Sequence, residues 1–247
     1  MAQWVSGRVV DCRHWTDRLH TLRVEADIAP FEAGQFTKLG LEIDGTIVGR
    51  PYSLVNPPQQ QPLEFYFIVV PGGPLSPRLA AMQPGDAVLV APQATGFLTL
   101  KEVPPAPHLW LVSTGTGIGP FLSILQTAEP WQRCQRVVLV HAVRTVDELS
   151  YRDTIAQVAA THPQQFVYIP FVSRESCDFA LPGRIPQAIE NGQLEARAGV
   201  AFSERDSQVM LCGNPAMVED TKNMLIARGL RKHSRREPGQ ISLERYW

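Results

Sequence analysis

After a proline-rich linker the chain reads His108-Leu109-Trp110-Leu111-Val112-Ser113-Thr114-Gly115-Thr116-Gly117-Ile118-Gly119-Pro120. The largely apolar start is typical of a buried strand, and the apolar stretch 121–125 opens a helix. A strand, a glycine-rich turn and a helix in this order direct backbone N–H groups and the positive helix end at an anion. Because Pro120 replaces the third glycine of a G-x-G-x-x-G fingerprint, the turn is better interpreted as a related one for a nicotinamide nucleotide. The alternative is a tight connection with no ligand.

Beyond this turn, apolar strands alternate with helices, which predicts a parallel sheet with crossover helices. The predicted strands are residues 109–113, 137–141, 166–171 and 209–212, and the predicted helices are 121–128, 146–160 and 216–228.

Before the linker, short strands separated by glycine and proline turns predict an antiparallel barrel. These strands are residues 7–12, 20–26, 36–43, 47–55, 63–70 and 87–91, with one short helix at 76–82. The chain is therefore expected to divide into a barrel domain at 1–101, a linker at 102–107 and an α/β domain at 108–247.

One predicted strand carries Arg50-Pro51-Tyr52-Ser53. Alternate side chains of a strand share a face, so Arg50 and Tyr52 are expected to project together. A guanidinium suits a pyrophosphate and a phenol ring can stack on a flat heterocycle, a pairing that a flavin dinucleotide needs. The alternative is an ordinary strand with Tyr52 packed at its end.

Together with Gly73-Pro74-Leu75-Ser76 and Cys212-Gly213-Asn214-Pro215, these segments resemble the bacterial type of the ferredoxin/flavodoxin–NADP reductase family. The resemblance covers residues 4–247, with the motifs in family order. It implies a Greek-key antiparallel barrel that binds FAD, followed by a parallel-sheet domain that binds NADP(H). It also implies hydride transfer from NADPH to flavin N5 and electron delivery to flavodoxin or ferredoxin.

The same resemblance implies roles for individual residues. The catalytic residues would be Tyr52, Ser53 and Cys212, although Cys212 could also be a small buried residue. FAD would be bound by Arg50, Pro51, Tyr52, Ser53, Tyr66, Pro74, Leu75, Ser76, Thr116, Tyr246 and Trp247. NADP would be bound by Gly115, Val143, Arg144, Ser173, Arg174, Arg184, Gly213 and Asn214.

Three arginines bear on the choice between NADPH and NADH. Arg144, Arg174 and Arg184 follow consecutive elements of the predicted sheet and are expected to converge on one edge. Guanidiniums there would bind the ribose 2′-phosphate of NADPH. The alternative is that each is a solvated surface residue.

The carboxyl end is basic and then aromatic. Residues 221–247 contain seven lysines or arginines against two acidic residues, which would steer an acidic protein partner. A solvated helix end and tail is the alternative. The terminal Tyr246-Trp247 pair needs a stacking partner, and if it covers the flavin it must yield to nicotinamide as a gate.

Composition excludes several classes of protein. The net charge of −1 argues against a nucleic-acid partner, and no apolar run reaches the span of a membrane helix. The four cysteines share no Cys-x-x-Cys spacing, which argues against zinc or an iron–sulfur cluster. A cytoplasmic location is expected, since the first residues lack the apolar core of a signal peptide. The protein is also expected to be a monomer.

Three functions stay open from the sequence. The first is an FAD-dependent reductase between NADPH and a small one-electron carrier. The second is the reductase component of an oxygenase system whose iron–sulfur cluster lies on another protein. The third is a non-catalytic flavin-binding module, against which the arginines and the glycine–proline loop argue.

Overall fold

The computed structural model describes residues 3–246 and contains two six-stranded sheets. In the first sheet every paired strand is antiparallel, and the order is β4-β3-β6-β1-β2-β5. A bridge between Leu54 and Phe65 joins the two edge strands, so the sheet closes into the predicted Greek-key barrel. Its strands are β1 Val5–His14, β2 Leu19–Glu25, β3 Phe36–Ile43, β4 Thr46–Ser53, β5 Leu63–Ile68 and β6 Ala87–Val90.

The alternation of side chains between the two faces of a strand explains how the barrel interior is filled. On β5, Leu63, Phe65 and Phe67 are buried at every second position and pack with Leu22 and Leu39 from neighbouring strands. The helix α1, Ser76–Ala80, adds Leu79 to this core.

The second sheet is parallel throughout, with the order β10-β9-β8-β7-β11-β12. Its central strands are buried along most of their length, as the continuous apolar runs of the sequence require. The strands are β7 His108–Thr114, β8 Arg136–Val143, β9 Phe166–Val172, β10 Leu181–Pro182, β11 Ser207–Gly213 and β12 Ile241–Arg245. The helices are α2 Gly119–Leu125, α3 Glu129–Arg133, α4 Arg152–Thr161, α5 Ile185–Glu190, α6 Gln193–Ala198 and α7 Pro215–Ala227.

The predicted helix at 146–160 is wrong in its first part. A 3₁₀ turn spans Val146–Glu148, and Tyr151 adopts the left-handed conformation with φ 61° before α4 begins. The left-handed conformation cannot continue a right-handed helix.

The sequence prediction also missed five short elements: β10, β12, α3, α5 and α6. Each has at most six residues, too few to show a clear period.

The two sheets share a core. Ile118 and Phe121, next to the glycine-rich turn, pack in one cluster with Val55 and Tyr66 of the barrel half. The Ser123 hydroxyl donates a hydrogen bond of 2.8 Å to the Asn56 carbonyl across the same boundary. The division of the chain at residues 102–107 stays a prediction.

None of the helices within residues 3–246 combines the length and apolar character needed to cross a bilayer.

Candidate active site

A cavity of about 500 Å³ lies where the barrel meets the parallel sheet. Five separate parts of the chain line it, and together they bring in most of the residues predicted to hold FAD. Of those residues the cavity is lined by Arg50, Pro51, Tyr52, Ser53, Tyr66, Pro74, Leu75, Ser76, Thr116 and Tyr246. Trp247 lies outside the described residues.

The charge at this cavity comes from Arg50. Its guanidinium donates 2.8 Å to the carbonyl of Gly49, and none of the ion pairs found within residues 3–246 includes it. The side chain is exposed at the cavity wall. An exposed cation with no carboxylate partner keeps donors available for an anionic ligand.

Aromatic rings form the neighbouring wall. Tyr52 packs edge-on against Phe67 at 5.7 Å between ring centres, and burial raises the pKa of Tyr52 to about 12. Tyr66 is buried, and its hydroxyl donates 2.9 Å to Ser150 of the parallel-sheet half. Both phenols are therefore neutral near pH 7 and offer flat, uncharged surfaces.

The turn before α1 is fixed by a side chain. The Ser76 hydroxyl accepts a hydrogen bond of 2.9 Å from the backbone N–H of Val70 and retains its own proton for donation. Arg78 donates 2.6 Å to the carbonyl of Pro74 in the same turn.

Two of the three residues predicted to be catalytic, Ser53 and Cys212, contact Tyr246, while Tyr52 packs against Phe67. The hydroxyls of Ser53 and Tyr246 are hydrogen-bonded, and the backbone N–H of Tyr246 donates 3.0 Å to the carbonyl of Gly213. Cys212 is fully buried, and burial is the main cause that raises the pKa of its thiol, which is hydrogen-bonded to Tyr246. A Cβ on Gly117 would lie 2.6 Å from the Cys212 carbonyl oxygen, so this close approach requires glycine.

The glycine-rich turn is held by two side chains beneath it. His141 is fully buried and its Nε2 lies 3.1 Å from the carbonyl oxygen of Gly115, while burial lowers its pKa to about 4. The neutral ring therefore donates this bond. Thr114 Oγ1 accepts 2.8 Å from the backbone N–H of Asn214 and ties the turn to the end of β11.

Asn214 also has a structural role that the sequence analysis did not assign. Its side-chain oxygen accepts from the backbone N–H groups of Ala216 at 2.9 Å and Met217 at 3.3 Å, which caps α7. Contact between Asn214 and NADP stays a prediction.

The three arginines follow adjacent strands of the parallel sheet at one edge. The backbone N–H of Arg174 donates 2.9 Å to the carbonyl of Arg144, and Ser173 donates 3.1 Å to the carbonyl of Val143. Arg184 comes two residues after Pro182, which pairs with Val172. All three arginines are exposed, and none of the ion pairs found within residues 3–246 includes any of them.

The basic carboxyl end is less basic than its composition indicates. Of its seven cations, four are paired with acids: Lys222 and Arg245 with Glu219, Arg228 with Glu195, and Arg235 with Glu102. The exposed cations left without an ion pair among residues 3–246 are Arg231, Lys232 and Arg236.

Glu244 is a cavity residue that the sequence analysis missed. It lies on β12 opposite Cys212 of β11 and lines the cavity beside Tyr246. Burial raises the pKa of Glu244 from 4.5 to about 7. Because β12 itself was not predicted, no sequence signal placed this carboxyl in the site.

Replacing Glu244 with Gln should make the ligand-free protein more stable at pH 8 but not at pH 5. The folded state favours the protonated carboxyl of Glu244. Its contribution to the free energy of unfolding is therefore fully present below pH 4.5 and is lost as the pH rises through about 7. At pH 8 the substitution should avoid a loss of about 1–3 kcal/mol in the free energy of unfolding. Urea unfolding at both pH values measures it, and the exposed Glu237→Gln serves as the control. Equal gains at both pH values would contradict this expectation.

No group of three or more His, Cys, Asp or Glu side chains within residues 3–246 could hold a metal ion.

The sequence is similar to known proteins along its whole length. Residues 111–223 match the family described as oxidoreductase NAD-binding domain. The flavodoxin/ferredoxin–NADP reductase of Escherichia coli strain K12 is 49% identical over 248 aligned residues, with all of both chains covered. The chain belongs to the flavodoxin/ferredoxin–NADP reductase family. This confirms the resemblance seen in the sequence motifs.

Solved structures agree with membership of this reductase family. A ferredoxin NADP⁺ reductase from Neisseria gonorrhoeae with bound FAD and NADP has a TM-score of 0.93 and 34% identity, with 99% of each chain covered. A cytochrome P450 reductase of Amycolatopsis has a TM-score of 0.79 and 26% identity, with 98% of this chain and 69% of that one covered. The predicted fold class, a barrel followed by a parallel-sheet domain, is confirmed.

Proposed function

We propose that this member of the flavodoxin/ferredoxin–NADP reductase family is an FAD-dependent enzyme that passes electrons between NADPH and flavodoxin or ferredoxin. The observation that carries the proposal is the single cavity at which the Arg50–Ser53 strand, the Ser76 turn, Thr116 and Tyr246 meet.

The cavity residues fit FAD. Its walls combine the neutral aromatic rings of Tyr52 and Tyr66 with the guanidinium of Arg50, which has no acidic partner among residues 3–246. An apolar, aromatic pocket with one fixed cation suits a flat ring system attached to a pyrophosphate. When bound, the flavin supplies two-electron exchange with nicotinamide and one-electron exchange with a carrier protein.

The chain's own residues would bind and orient the flavin and exclude water from it. Arg50 and Ser76 would hold the pyrophosphate, and Tyr52 would pack on the ring. The Ser53–Tyr246 hydrogen bond holds the tail aromatic at the cavity wall, where its ring would keep water from the flavin. Glu244, with a pKa near neutrality, can hold or release a proton beside these hydroxyls.

NADPH would approach from the parallel-sheet half. Gly115, Thr116, Cys212 and Gly213 lie where the carboxyl ends of β7 and β11 meet the cavity, the place at which open parallel sheets bind ligands. Arg144, Arg174 and Arg184, with Ser173 and Val143 between them, would hold the 2′-phosphate at the outer edge.

An acidic carrier protein would meet the exposed cations Arg231, Lys232 and Arg236. Charges of this kind accelerate encounter and are screened by salt. That the protein works as a cytoplasmic monomer stays a prediction.

The test of this function is anaerobic. The purified protein is mixed with NADPH or NADH, and the visible absorbance of its flavin is followed. Rapid bleaching by NADPH and slow bleaching by NADH are expected. Reduced protein should then reduce flavodoxin or ferredoxin at a rate that falls as the salt concentration rises. Absence of bleaching with both nucleotides would refute the proposal.

Deleting Tyr246 and Trp247 should raise the apparent affinity for NADP⁺ about tenfold and weaken FAD retention. The first effect is expected because the nicotinamide no longer displaces a ring held by Ser53, at a cost of roughly 1–2 kcal/mol for a hydrogen bond and packing. Equilibrium titration with NADP⁺ and flavin fluorescence measure the two effects. Tyr246→Phe, which keeps the ring but loses the hydroxyl, should lie between the deletion and the wild type. Unchanged NADP⁺ affinity and FAD retention in the deletion would rule out the gate.

A further inference from the structure

A second set of contacts between the two halves lies behind the cavity wall. Tyr151 comes from the parallel-sheet half, is buried, and reaches two neighbouring strands of the barrel. Its hydroxyl donates 2.7 Å to the carboxylate of Glu64 on β5 and lies 2.7 Å from the hydroxyl of Thr21 on β2.

The direction of these hydrogen bonds is determined. Trp15 Nε1 donates 2.9 Å to the Thr21 hydroxyl, and Tyr151 donates to Glu64. The Thr21 hydroxyl must then donate to the Tyr151 oxygen. The series of hydrogen bonds therefore runs from the indole N–H of Trp15 to the carboxylate of Glu64, and each of these protons is donated. A network completed in this way is rigid, and loss of one member leaves buried polar groups without partners.

This network touches the cavity through Tyr66. Thr21 pairs with Tyr66 across β2 and β5, and the Tyr66 and Tyr151 rings pack edge-on at 5.3 Å. The Tyr66 hydroxyl donates 2.9 Å to Ser150, the residue before Tyr151. Ser150 and Tyr151 thus hold both the ring and the hydroxyl of a residue whose other side lines the cavity.

The backbone at this place is strained. Tyr151 has φ 61° and ψ 24°, a left-handed conformation that costs a bulky residue free energy and persists only where its surroundings enforce it. The side chain therefore enters the barrel wall at the expense of a continuous helix over residues 146–160.

We propose that Ser150 and Tyr151 are positioning residues for the flavin: they fix Tyr66 at the cavity wall and set the approach of the nucleotide-binding half to the barrel. This inference rests on the proposed function. It extends that function to two residues that lie outside the cavity lining.

The test compares Tyr151→Phe and Ser150→Ala with the wild type as FAD-loaded proteins. Visible circular dichroism of the bound flavin reports the surroundings of its ring, and fluorescence titration gives the dissociation constant for FAD. We expect both variants to change the dichroic bands and to raise this constant about threefold to tenfold. Flavin reduction at saturating NADPH should slow about tenfold, with the dissociation constant of NADPH unchanged.

Tyr168→Phe is the matched control. Tyr168 belongs to the same core cluster, and its hydroxyl is buried without a hydrogen-bond partner in the described part of the chain. Its removal should leave the flavin spectrum and FAD affinity unchanged.

The outcomes separate the two proposals. Variants that only lower the melting temperature, with dichroism and FAD affinity like the control, would overturn the positioning role. A wild-type protein that binds FAD but is not reduced by NADPH would refute the proposed function, while the dichroism and affinity measurements would still decide the positioning role. Because Ser150→Ala removes one small hydroxyl, it provides the measurement if Tyr151→Phe does not fold.

Discussion

Replacing Arg50 with Gln should lower the affinity for FAD by about 30-fold or more, the largest effect expected from any single change in the cavity. The guanidinium is exposed at the cavity wall, and its one intramolecular hydrogen bond is to the neighbouring Gly49 carbonyl. Loss of a charged partner from a pyrophosphate leaves the phosphate charge uncompensated, which costs about 2–5 kcal/mol. Fluorescence titration of the flavin-free protein with FAD measures the change.

Two variants make this experiment specific. Arg50→Lys keeps the charge but lacks the planar fork, so an intermediate affinity is expected. Arg8→Gln removes the same charge from another barrel strand, where Arg8 pairs with Glu25 on the surface, and should bind FAD like the wild type. If Arg50→Gln behaved like Arg8→Gln, the pyrophosphate would not be bound by Arg50.

Replacing Arg144 and Arg174 together with Gln should lower kcat/KM for NADPH by about 100-fold and leave kcat/KM for NADH nearly unchanged. The two residues are joined by a backbone hydrogen bond of 2.9 Å at the carboxyl edge of the sheet, and both are exposed. Charge-assisted hydrogen bonds to a phosphate contribute about 1.5–3 kcal/mol each, and exposure to solvent places each near the lower end of that range. Two such contributions amount to about 3 kcal/mol, or roughly 100-fold. NADH has no 2′-phosphate and loses nothing. Steady-state kinetics with both nucleotides measures the preference.

The control for this pair lies at the opposite edge of the same sheet. Arg205 is exposed in the loop just before β11 begins at Ser207, so Arg205→Gln changes the charge without approaching the strand ends. An equal loss with NADPH and NADH in the double variant would mean that the arginines support the fold or the shared part of the nucleotide. Arg184→Gln, added to the pair, should reduce NADPH turnover further if all three converge on one phosphate.

The local sequence pattern was sufficient where the conformation is set within one strand or one turn. Alternation along β4 predicted that Arg50 and Tyr52 would reach the same place, and both line the cavity, which Pro51 and Ser53 at the end of the strand line as well. The glycine-rich turn followed a strand and preceded a helix, as its sequence indicated, and the close approach of Gly117 to Cys212 gives a physical reason for one of its glycines.

The local sequence pattern failed where groups distant in the sequence decide the conformation. Residues 146–160 have helical character, yet Tyr151 leaves the helical conformation and its hydroxyl donates to Glu64 and bonds with Thr21 of the barrel. The carboxyl end was expected to be a tail, but its residues 241–245 pair with β11. This pairing brings Glu244 to the cavity, and Arg245 forms an ion pair with Glu219, which withdraws one cation from the predicted basic surface.

The sequence alone therefore determined the succession of barrel and parallel sheet, the family, and most of the cavity-lining residues. The succession of barrel and parallel sheet follows from side-chain periodicity and turn residues, whereas the family and the lining residues followed from short motifs that resemble those of the family. Only the tertiary structure decided which carboxyl enters the cavity, which cations remain unpaired, and how Ser150 and Tyr151 brace Tyr66. These depend on the pairing of separate elements, such as β11 with β12, and on contacts such as that of Tyr66 with Ser150, 84 positions away, where packing and hydrogen bonding outweigh local propensity.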